Sequence, residues 1–374
     1  MKRKRDLYFT LLVAVVVVIL LLLPTGYENP ELTRNMLYEK AEVTKVDNSD
    51  ISEITIVTLG TQELELRILS GKFKGEVVAA RNQLLGDKRR DKIFERGDKV
   101  LSISRMDEAH EKILETRADE FYRQDLELLL LAIFVVALIL LAGMSGAKAA
   151  LSFIFTALAF WKLLIPALLA GYSPLFISIG VTFVATSVII LLVAGLTKKG
   201  AVALFGALSG VVVTALLALI FGHFFKIPGT IQEYSDSLLY LGFEDLNFSQ
   251  MLLSCIFISS AGAVMDVAMD IAAAQDELSQ KASHLSRKEL IQSGLNIASP
   301  VVGSMTTTLL FAYSGSFMFA FMAYMAQGVP MECIVNRGYI ASEILLTMVG
   351  SFGLVLVAPI TALLGGYIYR SSQK

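Results

Sequence analysis

Eight apolar runs dominate this chain of 374 residues, each near the roughly 20 helical residues that cross about 30 Å of hydrocarbon. They cover residues 7–23, 128–143, 149–170, 175–196, 201–225, 252–274, 300–326 and 340–367. Runs of this length leave a soluble fold no way to cover its surface. Hydrophobic residues make up 55% of the chain and, with glycine, about 62%, against roughly 45–50% in ordinary soluble domains. Charged residues are 18%, below the usual roughly 25%. A soluble enzyme and a disordered chain are both excluded. The expected fold class is a mainly α-helical integral membrane protein, with about eight transmembrane helices and a small extracytoplasmic β-rich, barrel-like domain.

The first run follows Lys2, Arg3, Lys4 and Arg5 and ends at Pro24. No small-residue cleavage site follows it, so residues 1–24 read as an uncleaved signal anchor with a cytoplasmic N-terminus. Eight crossings then return the C-terminus to the same side. Basic residues test that path, because cytoplasmic loops carry the excess of Lys and Arg. Lys2, Arg3, Lys4, Arg5, Lys148, Lys198, Lys199, Lys281, Arg287, Lys288, Arg370 and Lys374 fall inside, and the short outer loops hold only Lys226 and Arg337. Twelve against two supports a path with both termini cytoplasmic and residues 25–127 outside. A ninth span would break that balance.

Within the outer part, residues 25–105 alternate as strands do at 41–46, 53–57, 63–68, 75–79 and 99–103. Turn signals stand at Asn48-Ser49, Ser70-Gly71 and Arg96-Gly97-Asp98. Residues 106–127 read as a stalk helix running into the seven-helix block at 128–374. The basic run Lys88-Arg89-Arg90 reads as a solvated loop.

Enzymatic signatures are missing. His110, His223 and His284 are scattered, Cys255 and Cys333 make no disulfide framework, and no nucleotide-binding or metalloprotease motif occurs. The chain is therefore expected to be no enzyme and to use no cofactor and no metal. A net charge of −2 gives no reason to expect nucleic acid.

Polar groups inside apolar runs carry the functional signal, since ionisable side chains at membrane depth are costly. Asp266 and Asp270 lie four residues apart in the sixth run, on one helix face, where like charges repel. Helix stability explains neither, so a shared proton, a bound cation or a partner must offset the cost. The competing reading puts both in headgroup water. Asn296-Ile297-Ala298-Ser299-Pro300 reads as a helix N-terminus, with Ser299 as N-cap and Pro300 at the first position. Ser304, Thr306, Thr307 and Thr308 then carry hydroxyls inward, toward the coupling path or simply toward neighbouring helices. Residues 275–295 read as an amphipathic connector along the inner membrane face. Lys162 reads as interfacial, and Glu343 as an outer-side carboxylate or a helix-start residue. Pro359 allows a break in the last run.

The stretches AGAVMDVAMDIA (261–272), GSMTTTLLFAYSGS (303–316) and ASEILLTMVGSFGLVLVAPITAL (341–363) resemble the YibE/F family of bacterial multi-span proteins. The layout of anchor, small outer domain and helical block is similar too. This chain departs from the family pattern at Pro300, where an acid is frequent, and at Thr307, where asparagine is. The resemblance implies fold and location more than activity. A helix with carboxylates followed by a Thr-rich helix is also similar to the proton-relay pair of resistance–nodulation–division permeases.

The expectation is thus a permease, coupled to protons or cations through Asp266 and Asp270, with Asn296, Ser304, Thr306, Thr307 and Thr308 along the path. Its partners would be the lipid bilayer, a small-molecule or ion substrate, and further subunits of the same or another kind. The alternative is a non-transporting scaffold, assembly factor or sensor acting through the outer domain. A paired-aspartate protease would need carboxylates from two helices, and this pair sits on one.

Overall fold

The computed structural model describes residues 2–27, 33–107, 109–282 and 284–370; Lys374 and the side chains of Lys2 and Arg3 lie outside the described residues. The chain forms two compact units, residues 26–137 and residues 1–25 with 138–374.

The smaller unit is a closed barrel. Strands β1 (Met36–Ile54), β2 (Val57–Ile68), β3 (Val77–Leu85), β4 (Lys99–Met106) and β5 (Ile113–Phe121) follow the order β1-β2-β3-β5-β4 around it. Neighbours are antiparallel except β3 and β5, which meet in parallel at Arg81 and Arg117. Such an order belongs to small five-stranded Greek-key barrels. Alternate residues turn inward: Ala41 and Val43 on β1, Leu64, Leu66 and Ile68 on β2, and Ala80 on β3 share a core with Phe73, Phe94 and Val100. Buried Gln62 ties the far loop in, accepting from Phe94 N at 3.0 Å and donating to Phe94 O at 2.8 Å.

Two sequence expectations change here. The stretch 41–46 and residues 53–54 belong to one strand, with a bulge between Asp47 and Asp50 where a turn was expected, and the expected strand 53–57 is cut by the hairpin turn at Thr55-Ile56, so that Val57 opens β2; a long bent strand is what closes a small barrel. Where a stalk helix was expected at 106–127, residues 113–121 form β5, and helix begins only at Gln124. Its Glu- and Ala-rich composition favours helix, but pairing with β4 and burial of Thr116 and Ala118 override that weak preference. The expected turns at Ser70-Gly71 and Arg96-Gly97-Asp98 are present, with positive φ at both glycines.

The larger unit is helical. It comprises α1 (Lys2–Leu22), α2 (Gln124–Ala159, which starts in the smaller unit), α3 (Ile165–Leu169), α4 (Pro174–Val193), α5 (Lys198–Phe225), α6 (Ser235–Tyr240), α7 (Phe248–Lys281), α8 (Arg287–Ala326), α9 (Met331–Val335) and α10 (Gly338–Arg370). Among the described residues seven helices are long and apolar enough to cross a membrane, against the eight expected. The difference lies in one continuous stretch, Gln124–Leu169, which merges the second and third runs. At Gly143 its backbone leaves the helix (φ 55, ψ −128). A Cβ on Gly146 would lie 1.9 Å from Leu138 O, whereas eight residues of straight helix span about 12 Å. The stretch therefore bends sharply into two helical arms. Lys162 lies half-buried in a π-helical turn, Phe160–Leu164, of the second arm.

Helices α5, α7 and α10 pack backbone to backbone through glycine. A Cβ on Gly210 of α5 would sit 2.5 Å from Val264 of α7 and 2.9 Å from Val357 of α10, and one on Gly353 of α10 would sit 2.1 Å from Thr214 of α5. Gly206 meets Thr361, and Gly222 meets Leu253, so α5 runs antiparallel to both partners. One end of the bundle consequently gathers Lys198 and Lys199, Lys281, Arg287 and Lys288, and Arg370, whose Nη2 donates to Ala282 O at 2.9 Å. Asp6 brings Lys4 and Arg5 to that end, accepting from Leu196 N at 3.2 Å. Lys226 and Arg337 mark the opposite end.

The predicted helix start at Ser299 is corrected. α8 begins at Arg287, capped by Ser286 and Glu289 in a reciprocal capping box, and runs through Pro300. The supposed connector at 275–295 is thus the end of α7, a short turn and the first turns of α8. α10 is likewise continuous through Pro359.

Two outcomes are expected. Gly210→Leu overpacks the three-helix contact and should cost about 1–3 kcal/mol, whereas Gly262→Leu, with nothing within 4 Å of its Cβ, should leave the thermal midpoint in detergent near that of the native chain. In the barrel, Glu39 is buried, and loss of water pushes its carboxyl above the ordinary range despite backbone N–H groups at Phe73 and Lys72. Its folded form holds the proton more tightly, so its contribution is full below about pH 4.3 and fades as pH rises through the raised value. The barrel of Glu39→Gln should gain on the native barrel over that window, read as a widening difference in melting temperature with pH.

Candidate functional site

α7 is a buried helix with one open face. Val264, Val267, Ala268 and Ile271 are fully buried against α5, α10 and their neighbours, whereas Ser259, Gly262, Asp266, Asp270 and Glu277 are exposed. At 100° per residue, Ser259, Asp266, Asp270 and Glu277 fall within about 40° of one another, and they span about 27 Å. That length is close to the thickness of a hydrocarbon core. A polar and small-residue stripe therefore runs along the helix over a bilayer-sized distance, and Asp266 and Asp270 occupy its middle, close enough to interact electrostatically.

α8 lies antiparallel beside it. The two helices meet at one level where the side chain of Tyr313 comes close to that of Ser259, whose hydroxyl donates to Ile256 O at 3.0 Å. At another level Gln275, fully buried, donates from Nε2 to Leu290 O and to Ala362 O of α10, both at 3.0 Å. Interpolation between these levels sets Asp266 beside Gly303 and Asp270 beside Ile297. The hydroxyls at that depth do not turn to the carboxylates: Ser304 donates to Val301 O at 3.0 Å, Thr306 to Val302 O, Thr307 to Gly303 O at 3.3 Å and Thr308 to Ser304 O at 3.0 Å. All four bond within their own helix, the ordinary use of such residues in an apolar setting. Asn296 accepts from Gln292 Nε2 at 3.1 Å. Pro300 has no N–H, so the Asn296 carbonyl loses its usual bond from four residues on.

Glu343, half-buried near the start of α10, comes within electrostatic reach of Tyr313. Tyr313 was not singled out from the sequence, although Met305, Leu309 and Tyr313 recur every four residues on the face of α8 that packs inward. A tyrosine on that stripe was the available signal. With Ser259 it forms a three-helix polar cluster at one end of the α7 stripe, about 10 Å along the helix from Asp266. Among the described residues no group of three or more His, Cys, Asp or Glu is placed to hold a metal ion. Two carboxylates one turn apart can share a proton or hold a cation, with serine and tyrosine hydroxyls next along the face.

Residues 130–371 match the family described as YibE/F-like protein, and residues 36–118 match the YibE/F family N-terminal domain. No curated protein and no solved structure matches the chain. Most of the barrel and most of the helical unit are thus each covered by a domain of the same family, and the chain belongs to the YibE/F family.

Proposed function

We propose that this chain is a bacterial plasma-membrane permease in which protons or cations pass along the α7 stripe, with Asp266 and Asp270 as the coupling carboxylates. The observation that carries the reading is the stripe itself. A membrane-length helix packed on every other side keeps its charged and small residues together on one face, where burial in lipid would be expensive. The Ser259, Tyr313 and Glu343 cluster forms one mouth of the path and Glu277 the other. Lys and Arg collected at one end of the bundle support placing that end in the cytoplasm, with both termini inside and the barrel outside. In this reading the barrel receives or gates the substrate, and no covalent chemistry is involved.

One observation favours a second reading. The stripe lies on the surface of the single chain, not enclosed by it, as suits a helix face covered by a partner. A scaffold or assembly factor would then use Asp266 and Asp270 to pair with a basic helix of another protein.

Currents after a pH or sodium jump on proteoliposomes separate the two. The permease reading expects a transient charge movement that Asp266→Asn abolishes and Asp270→Asn reduces at unchanged thermal midpoint; equal currents from all three proteins, or none from the native one, would leave the scaffold. Cysteine accessibility gives a second check, in a background with Cys255 and Cys333 replaced by serine. Ser259→Cys should react with a membrane-impermeant thiosulfonate, while Leu310→Cys on the outer face of α8 should stay unreactive.

A further inference from the structure

The barrel holds a groove that plays no part in the stripe. β3 and β5 share the single rung between Arg81 and Arg117, and a groove of about 810 Å³ lies along this seam, within the size range of small-molecule sites. One end is closed by the segment after β3: Lys92 pairs closely with Glu120 of β5, and Asn82 Nδ2 donates to Lys92 O at 2.5 Å. Arg105 of β4 also lines the groove.

Two features of this groove call for a ligand. Arginines opposite each other on neighbouring strands, about 5 Å apart at the backbone, repel and weaken a sheet. Each has one acidic neighbour, Glu63 at 3.1 Å from Arg81 and Asp119 at 3.4 Å from Arg117, but the arginine side chains remain 66% and 63% exposed. Pairs that open contribute little and leave most guanidinium donors facing solvent. The second feature is Asp91, in the wall of the same groove. Its Oδ2 is buried with no hydrogen-bond partner among the described residues, and a buried acceptor of this kind is costly until a donor meets it. A bare anion answers only the arginines. A ligand carrying both an anionic group and hydroxyls answers both.

We propose that the β3–β5 groove binds a phosphorylated sugar or polyol, its phosphate held by the paired forks of Arg81 and Arg117 and a hydroxyl by Asp91. Arginine suits the phosphate because its planar fork engages two oxygens at once. The site stands independently of the permease reading, since it uses barrel residues alone.

The test uses the full chain in phosphatidylcholine nanodiscs, titrated with glucose 1-phosphate, inorganic phosphate or glucose. Hydrogen exchange in β3 and β5 is the readout. Glucose 1-phosphate should protect both strands with about tenfold higher affinity than inorganic phosphate, and glucose should not protect. Arg81→Gln with Arg117→Gln should weaken both anions at least about tenfold, and Asp91→Ala should remove the preference for the sugar phosphate while keeping phosphate binding. Should the glutamine pair unfold the barrel, Arg81→Lys with Arg117→Lys keeps the charge without the fork and should still weaken binding. Nanodiscs containing phosphatidylinositol form the second arm: protection there without added ligand assigns the phosphorylated polyol to a lipid headgroup, and protection by glucose 1-phosphate alone assigns it to a soluble ligand. Equal affinities for phosphate and sugar phosphate, no protection in either arm, or binding untouched by the arginine variants would overturn the proposal.

Discussion

The helical unit depends on contact between backbones at glycine. Where Gly210 faces Val264 and Val357, and Gly353 faces Thr214, a single added carbon has no room. Helices at such short separation touch over long stretches, so dispersion between well-matched surfaces supplies the attraction. Such contact also dictates composition: Gly, Ala, Ser, Thr and Val collect along the seams of α5, α7 and α10, and the larger side chains are pushed outward. The many exposed leucines and phenylalanines of this unit are the other side of the same arrangement.

The open face of α7 follows from that packing. Three sides of the helix are committed to α5, α10 and their neighbours, so anything polar that the helix carries along its length must use the fourth. Gln275 shows what a polar group needs in order to lie inside instead. It satisfies its amide nitrogen with carbonyls of two other helices, and Gly294 and Gly365 make room for it. Asp266 and Asp270 have no such niche. A carboxylate cannot donate while ionised, and the carbonyl-lined seams offer acceptors only. Position on the outer face is therefore a matter of chemistry as much as of geometry.

Much of this was legible in the residues. Length and hydropathy show which segments become long helices, because nothing but a helix satisfies so many backbone groups in apolar surroundings. The spacing of Asp266 and Asp270 is enough by itself to put both on one helix face. Local signals misled where tertiary pairing outweighed them. Residues 113–121 look helical by composition, yet β4 offers a full edge to pair with. Ser299-Pro300 looks like a helix start, yet the capping box at Ser286 and Glu289 had already begun the helix, and a proline one turn or more inside a helix is tolerated where neighbours compensate. Tyr313 was hidden for a different reason. Its partners lie about 54 and 30 residues away in sequence, on α7 and α10, and no local pattern reports such a meeting.

The contact of Asp6 with the turn at Leu196 joins residues 190 positions apart. α1 leaves the ribosome well before the residues it packs on, and its seat, built from Phe155, Ala159 and Leu192, does not exist until a stretch of roughly half this length has followed. For that interval α1 holds apolar surface with no intramolecular partner, while the whole barrel is made and closes on its own local contacts. Assembly order is thus inverted relative to synthesis order. A chain truncated anywhere before α4 leaves its first helix unseated, a ready mark by which a quality-control protease could tell an unfinished molecule from a finished one.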